Sequence, residues 1–248
     1  MAKLYLIRHA QSANNEIWNG SDNDERRVPD PEITIAGHQQ AETLGLHLAD
    51  PQGETRQNPL ISGCNPNFGL THLYCSLMTR SILTAEYIAQ TCNLALQILP
   101  DIFEKHGIYT VDDNGALQGL PGPGRNYFEE RFPNLNLPDG FDDAGWWNRP
   151  AEDESSFLQR MQAVVNEFKH RHANSDDCIA MVAHGDFIDQ FINELMAVPR
   201  HNNNYQGDWV ANWVFHNTSI SRIDFVNDSF NIVYLNRIDH LSAELITW

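Results

Sequence analysis

Residues 4–15 read Leu4-Tyr5-Leu6-Ile7-Arg8-His9-Ala10-Gln11-Ser12-Ala13-Asn14-Asn15. Leu4 to Ile7 is a short continuous apolar run, which predicts a strand buried on both faces. Arg8 and His9 follow where that strand must emerge. In open α/β sheets the ligand crevice lies beyond the carboxyl ends of the strands. A guanidinium beside an imidazole at such a place suits a phosphate, since Arg presents a rigid fork of donors and His can attack phosphorus. The dipeptide alone is weak: Arg171-His172 and Arg200-His201 repeat it without an apolar strand in front, and read as solvated surface pairs.

Working outward, the same geometry recurs. Leu73-Tyr74-Cys75 predicts a second buried strand ending at Ser76. Met78, Ile82, Ala85 and Ala89 then repeat at helical spacing, so Arg80 lies at the start of a helix leaving a strand end. The free backbone N–H groups of that first turn already favour an anion. Leu96 to Leu99 predicts a third strand, with Glu104 in the loop beyond it. Ile179 to Ala183 predicts a fourth, with His184 and Gly185 at its end and a helix from Asp186 to Met196 behind them.

These stretches resemble the histidine phosphatase superfamily, which includes the cofactor-dependent phosphoglycerate mutases. That family's opening motif runs Arg-His-Gly-Glu, three residues, then Asn; Arg8, His9 and Asn15 match, while Ala10 and Gln11 replace Gly and Glu. Ser76 to Glu86 is similar to the family's second stretch, Ser-x-x-x-Arg-x-x-x-Thr-Ala-Glu. Glu104 follows Arg80 at a spacing similar to that of the family's acidic residue, and Met181 to Gly185 resembles its second-histidine motif. The resemblance implies an α/β three-layer sandwich with a mostly parallel central sheet and helices on both faces. It implies that His9 forms a phosphohistidine, that Arg8, Arg80, His184 and Asn15 hold the phosphoryl oxygens, and that Glu104 protonates the leaving group. Gly185 would let a backbone N–H approach a phosphate oxygen, and position 11, here Gln11, would meet another substrate group. No cofactor and no metal is expected. The mutase stretch Glu-Arg-His-Tyr-Gly survives only as Glu104-Lys105-His106-Gly107, which favours a phosphatase over a mutase-type isomerase. A binding module without turnover is the remaining reading.

The rest of the chain fits one domain over residues 1–248. Thr34 looks like the cap of a helix from about Ala36 to Leu48, and Ser155 to His172 carries an apolar stripe through Phe157, Met161, Val164, Val165 and Phe168. The stretches 19–31 and 51–71 predict surface loops, and Ser219 to Phe225 with Phe230 to Leu235 predict a hairpin closing one sheet edge. Residues from about 105 to 150 are rich in Gly, Pro and aromatics, and read as a structureless lid whose aromatics shape substrate choice or build a satellite core.

Of 248 residues, 42% are hydrophobic and the net charge is −17, which opposes nucleic acid and anionic membranes as partners. The same charge repels an anionic substrate at long range, so a small phosphorylated substrate needs arginines close by; 13 of the 16 basic residues are Arg. Four cysteines without Cys-x-x-Cys spacing, no apolar run of membrane length, and a strand in place of a leader predict a cytoplasmic protein with reduced thiols. On that reading the glycosylation patterns Asn217-Thr218-Ser219 and Asn227-Asp228-Ser229 carry no weight. Oligomeric state is not legible.

Overall fold

A computed structural model describes residues 1–18, 26–55, 67–197 and 212–248. Cys64, the Arg200-His201 pair, and parts of the two predicted loops lie outside the described residues. The elements run β1 (Ala2–Arg8), α1 (Ala13–Glu16), α2 (Ile35–Ala49), β2 (His72–Cys75), α3 (Thr79–Cys92), β3 (Leu96–Ile98), β4 (Tyr109–Val111), β5 (Leu117–Gly119), α4 (Arg125–Arg131), α5 (Glu154–His172), β6 (Cys178–Ala183), α6 (Gly185–Leu195), β7 (Ile220–Val226) and β8 (Ser229–Arg237).

Six strands form one sheet in the order β3-β2-β6-β1-β7-β8. β3, β2, β6 and β1 are parallel, and the β7–β8 hairpin adds antiparallel to β1. Alternate residues of β1 serve opposite cores. Tyr5 and Ile7 pack with Leu44 and Leu48 of α2 and with Ile82, Ala85 and Ile88 of α3. Leu4 and Leu6 pack with Phe157, Met161 and Val165 of α5 and with Phe187, Phe191 and Ile192 of α6. The expected three layers are present. Because the helices after β1 and β2 cover one face and the helix after β6 covers the other, the chain diverges at the carboxyl ends of these neighbouring strands. In open α/β sheets that is where ligands bind.

Three expectations need correction. Residues 105–150 are not structureless: β4 and β5 form a hairpin, α4 follows, and Phe128, Phe132, Trp146 and Trp147 are buried in the same core as Phe103 and Ile82. The strands are three residues each, too short to show a period-2 pattern. Nor is the start of the 51–71 stretch a surface loop. Glu54 is 0% exposed, and its Oε1 accepts from Nη1 of Arg222 at 2.7 Å. Arg222, on β7 opposite Tyr5, also donates to both oxygens of Asp224 at 2.7 Å, and the Tyr234 hydroxyl donates to Glu54. Arg222, with Arg237 Nη1 3.5 Å from the second Glu54 oxygen, draws Glu54 down onto the sheet. Arg171-His172 differs as well: Arg171 pairs with Glu167 on the surface, but His172 is buried between Asp177 and Tyr74.

Removing one partner of a buried ion cluster strands the others without compensation, a loss of about 3–5 kcal/mol. Arg222→Met is therefore expected to lower unfolding stability in urea at pH 7 by that amount. A change under about 1 kcal/mol, the scale of an exposed pair, would mean the cluster is solvated.

Candidate active site

Each predicted site residue except Asn15 and Gln11 stands at or beyond the end of one of the four parallel strands. Arg8 ends β1 in register with Ala183 of β6, and the His9 N–H donates to the Ala183 carbonyl at 3.0 Å. The residues that follow those two positions, His9 and His184, therefore emerge side by side. Their ring centroids are 5.2 Å apart.

His9 is 3% exposed, and both ring nitrogens are held. Nδ1 lies 2.7 Å from the Ala10 carbonyl, and Nε of Arg80 lies 3.1 Å from Nε2. A carbonyl only accepts and a guanidinium only donates, so Nδ1 carries the proton and Nε2 keeps its lone pair. Burial, then Arg80 and Arg8, hold the imidazole pKa well below its ordinary value. His9 is thus neutral at pH 7, with Nε2 in nucleophilic form.

Arg80 is the second residue of α3, and Met78 offers that helix no side-chain cap. Asp30 supplies one: its carboxylate accepts from Thr79 N at 3.1 Å and from the Thr79 hydroxyl at 2.7 Å, and it lies 3.8 Å from Nη1 of Arg80. Burial lowers the Arg80 pKa. Arg8 donates from Nη1 to the Phe215 carbonyl at 2.5 Å, while its buried Nε has no hydrogen-bond partner among the described residues. Burial brings Arg8 down to about 10, which leaves it charged at neutral pH.

Glu104 reaches the first turn of α6. Its Oε1 accepts from Phe187 N at 3.1 Å and from Lys105 N at 2.9 Å, and its Oε2 accepts from Asp186 N at 3.2 Å. Such bonds favour the carboxylate, but burial and the charge of Asp186 outweigh them and push the pKa up to about 7. His184 is 0% exposed; its Nε2 pairs with the Ser76 hydroxyl at 2.8 Å, and its buried Nδ1 has no partner among the described residues. Burial, then Arg80 and His9, lower its pKa well below the usual range.

Gly185 opens α6 beside this group. A Cβ there would sit 3.6 Å from Nε of Arg8 and 3.9 Å from Oε2 of Glu104, ordinary contacts that place no steric demand for glycine. Asn15 and Gln11 are engaged in the turn itself. Asn15 Oδ1 accepts from Ser12 N at 3.0 Å within the capping box that starts α1. Gln11 Oε1 accepts from the hydroxyl of Thr34, the α2 cap, at 2.6 Å. The departures from Gly and Glu at positions 10 and 11 are absorbed locally, because the Ala10 N–H donates to the Thr84 hydroxyl at 3.0 Å and Ala10 is fully buried.

Sequence reasoning missed Ser76 as a partner of His184 and Asp30 as a partner of Arg80. Ser76 had a signal, since it opens the second family-like stretch. Asp30 had none, being one acid in a polar loop. Among the described residues, one other grouping could hold a cation: His47, Asp239 and His240. It includes none of the site residues, and Asp239 there is held by Nε and Nη2 of Arg237. No helix among the described residues is long and apolar enough to cross a membrane.

The arrangement gathers a neutral imidazole whose lone pair accepts from Arg80, two buried guanidiniums, a second neutral imidazole and a carboxyl whose pKa is pushed up to about 7. Groups of the kinds that can attack phosphorus, hold an anion and donate a proton are thereby brought together. Compared with known proteins, residues 4–238 match the family model described as the histidine phosphatase superfamily (branch 1). A probable phosphoglycerate mutase of Erwinia tasmaniensis is 24% identical over 228 residues, covering 90% of this chain and 85% of that protein. A phosphoserine phosphatase of Entamoeba histolytica, solved with phosphoserine, has a similar fold with a TM-score of 0.56 and 20% identity, covering 98% of this chain and 100% of that one. A mycobacterial glucosyl-3-phosphoglycerate phosphatase has a TM-score of 0.56 at 15% identity, covering 95% and 99%.

Proposed function

The chain belongs to the histidine phosphatase superfamily, and on that premise we propose that it is a metal-independent phosphomonoester hydrolase working through a phosphohistidine. Its substrate is a small phosphorylated metabolite of the cytoplasm, and the 105–150 segment of a single domain acts as the lid. One observation carries this reading: His9 presents Nε2 as a lone pair, fixed by the Ala10 carbonyl behind it and the Arg80 guanidinium in front. An incoming phosphate takes over the Arg80 donor and places phosphorus before Nε2. Nε2 forms the N–P bond as the bond from phosphorus to the ester oxygen breaks, and Glu104 gives that oxygen its proton. Water then attacks the phosphohistidine, giving a proton back to the Glu104 carboxylate as the N–P bond breaks, and both Nε2 and Glu104 return to their starting states. Arg8 and Arg80 stabilise the phosphoryl charge in both steps, which is most of what phosphoryl transfer asks of a protein. His184, the Nδ2 group of Asn15, whose Oδ1 is spent in the turn, and the Gly185 N–H complete the oxygen contacts, and Gln11 steadies the turn that carries His9.

The mutase reading, prompted by the Erwinia relative, is less well supported. Lys105, which stands where the mutase-type stretch has Arg, is turned to Glu154 at the start of α5, with its ammonium 5.4 Å over the Phe157 ring. Incubation with 3-phosphoglycerate separates the two: inorganic phosphate release is expected, with no accumulation of the 2-isomer. Isomerisation without phosphate release would overturn the hydrolase.

Glu104 sets the pH behaviour. An acid must be protonated to act, so kcat/KM for an alkyl phosphate is expected to fall as pH rises through about 7, the carboxyl's own pKa. His9, already neutral there, adds no limb in that window. Glu104→Gln is expected to remove the limb and slow alkyl phosphates by about 10²–10⁴-fold, with a much smaller loss for p-nitrophenyl phosphate, whose leaving group needs no proton. Equal losses for both esters would make Glu104 a positioning group.

A further inference from the structure

The sequence Asn217-Thr218-Ser219, which reads as a glycosylation pattern, is fully buried, with all three residues at or below 1% exposure. Its asparagine does something else. The Nδ2 group of Asn217 donates to the His9 carbonyl at 3.0 Å and to Asn15 Oδ1 at 3.3 Å. Thr218, held at a φ of +56°, donates its N–H to the Arg8 carbonyl at 3.0 Å. The backbone of the nucleophile is thus gripped from the side of β7.

A second buried amide grips the other side of the same turn. Gln40, 0% exposed on α2, accepts at Oε1 from the Gln11 N–H at 2.7 Å. Both amides are tied to one residue. The Thr247 hydroxyl accepts from Nε2 of Gln40 at 2.7 Å and donates to Oδ1 of Asn217 at 2.9 Å. The Thr247 carbonyl accepts from Asn217 N at 3.0 Å, and the Leu245 carbonyl accepts from Nε2 of Gln40 at 2.7 Å. A hydroxyl is suited to this node because it accepts and donates at once. Trp248 beyond it lies on the His216 ring, with centroids 3.7 Å apart.

We propose that the segment after β8, through Thr247, is a strap that sets the position of His9, with Asn217 and Gln40 as its two positioning residues. None of the three is assigned contact with the substrate. Thr247 fixes the orientation of the Asn217 and Gln40 amides, and those amides hold the His9 carbonyl and the Gln11 N–H, the backbone groups that follow Nε2 along the turn. The inference rests on His9 being the nucleophile. In-line attack is sensitive to placement, and a displacement of about 1 Å costs on the order of 10²-fold in rate.

Rapid-quench measurement of phosphoenzyme formation from p-nitrophenyl phosphate, together with calorimetric binding of inorganic phosphate, tests it. Thr247→Val removes both hydroxyl bonds at a half-buried position and is expected to slow phosphoenzyme formation roughly 10-fold or more, within the placement cost above. Binding of inorganic phosphate, a ground-state anion, should stay within about threefold, since Arg8 and Arg80 are untouched. Thr247→Ser keeps the hydroxyl and should recover most of the lost rate. Asn217→Asp keeps the acceptor for Thr247 but sets an oxygen against the His9 carbonyl, so its loss should be larger, about 10²-fold. If the wild-type protein forms no phosphoenzyme, the nucleophile reading fails. If it does, and Thr247→Val matches wild type in rate while folded, or the Val and Ser variants slow alike, the strap is refuted and the nucleophile reading stands.

Discussion

Replacing His9 with alanine is expected to lower kcat/KM for p-nitrophenyl phosphate by about 10⁴- to 10⁶-fold, the range met when a member of a covalent-catalysis unit is removed. The site has no substitute for Nε2. The nearest imidazole, His184, spends its Nε2 on the Ser76 hydroxyl. Water would have to attack directly, and nothing in the crevice except Glu104 would assist it. Binding should survive, because Arg8 and Arg80 remain and the alanine opens space next to them. Calorimetric titration with inorganic phosphate is expected to give an affinity within a few-fold of wild type. A variant that retains a tenth of wild-type turnover would remove His9 from the reaction.

Arg80→Ala carries the next largest effect, a loss of about 10³–10⁵-fold in kcat, the worth of a guanidinium that neutralises phosphoryl charge. In the proposed mechanism Arg80 acts twice: it holds the Nε2 lone pair in line, and it bears the charge that develops on phosphorus. Neither role depends on the leaving group, so alkyl and p-nitrophenyl esters should slow alike, unlike the pattern expected for Glu104→Gln. The fold should tolerate the change. Burial already raises the pKa of Asp30, so that carboxyl can take up a proton once its cation is gone. Steady-state kinetics on both esters, with a thermal melt alongside, reads out both statements. A loss confined to KM would make Arg80 a binding group only.

The strand-end positions of Arg8, His9, Arg80 and His184 were legible because each follows a short apolar run with a turn or helix signal behind it. Those are local patterns, and a buried parallel strand leaves one. Glu104 was legible only by its spacing in a family-like series, since a loop glutamate has no pattern of its own. What holds these groups was not legible. Ser76 meets His184 across 108 residues, Asp30 meets Thr79 across 49, and Glu54 meets Arg222 across 168. Each is a polar pair whose members sit in unremarkable surroundings until the sheet brings them together. Asn217 is the sharpest instance: its sequence pattern points outward to a sugar, whereas its side chain is buried against the His9 carbonyl. The 105–150 stretch failed for another reason. Its order comes from aromatics packing on Phe103 and on one another, which is non-periodic and leaves no helix or strand signature.

The central claim is that His9 Nε2 is the atom that takes the phosphoryl group. Quenching the protein in alkali within milliseconds of mixing with ³²P-labelled substrate, then digesting and sequencing the labelled peptide, tests it directly. An acid-labile, alkali-stable label is expected on the peptide containing His9, and none in the His9→Ala variant. Label on the His184 peptide, or label that persists in His9→Ala, would contradict it.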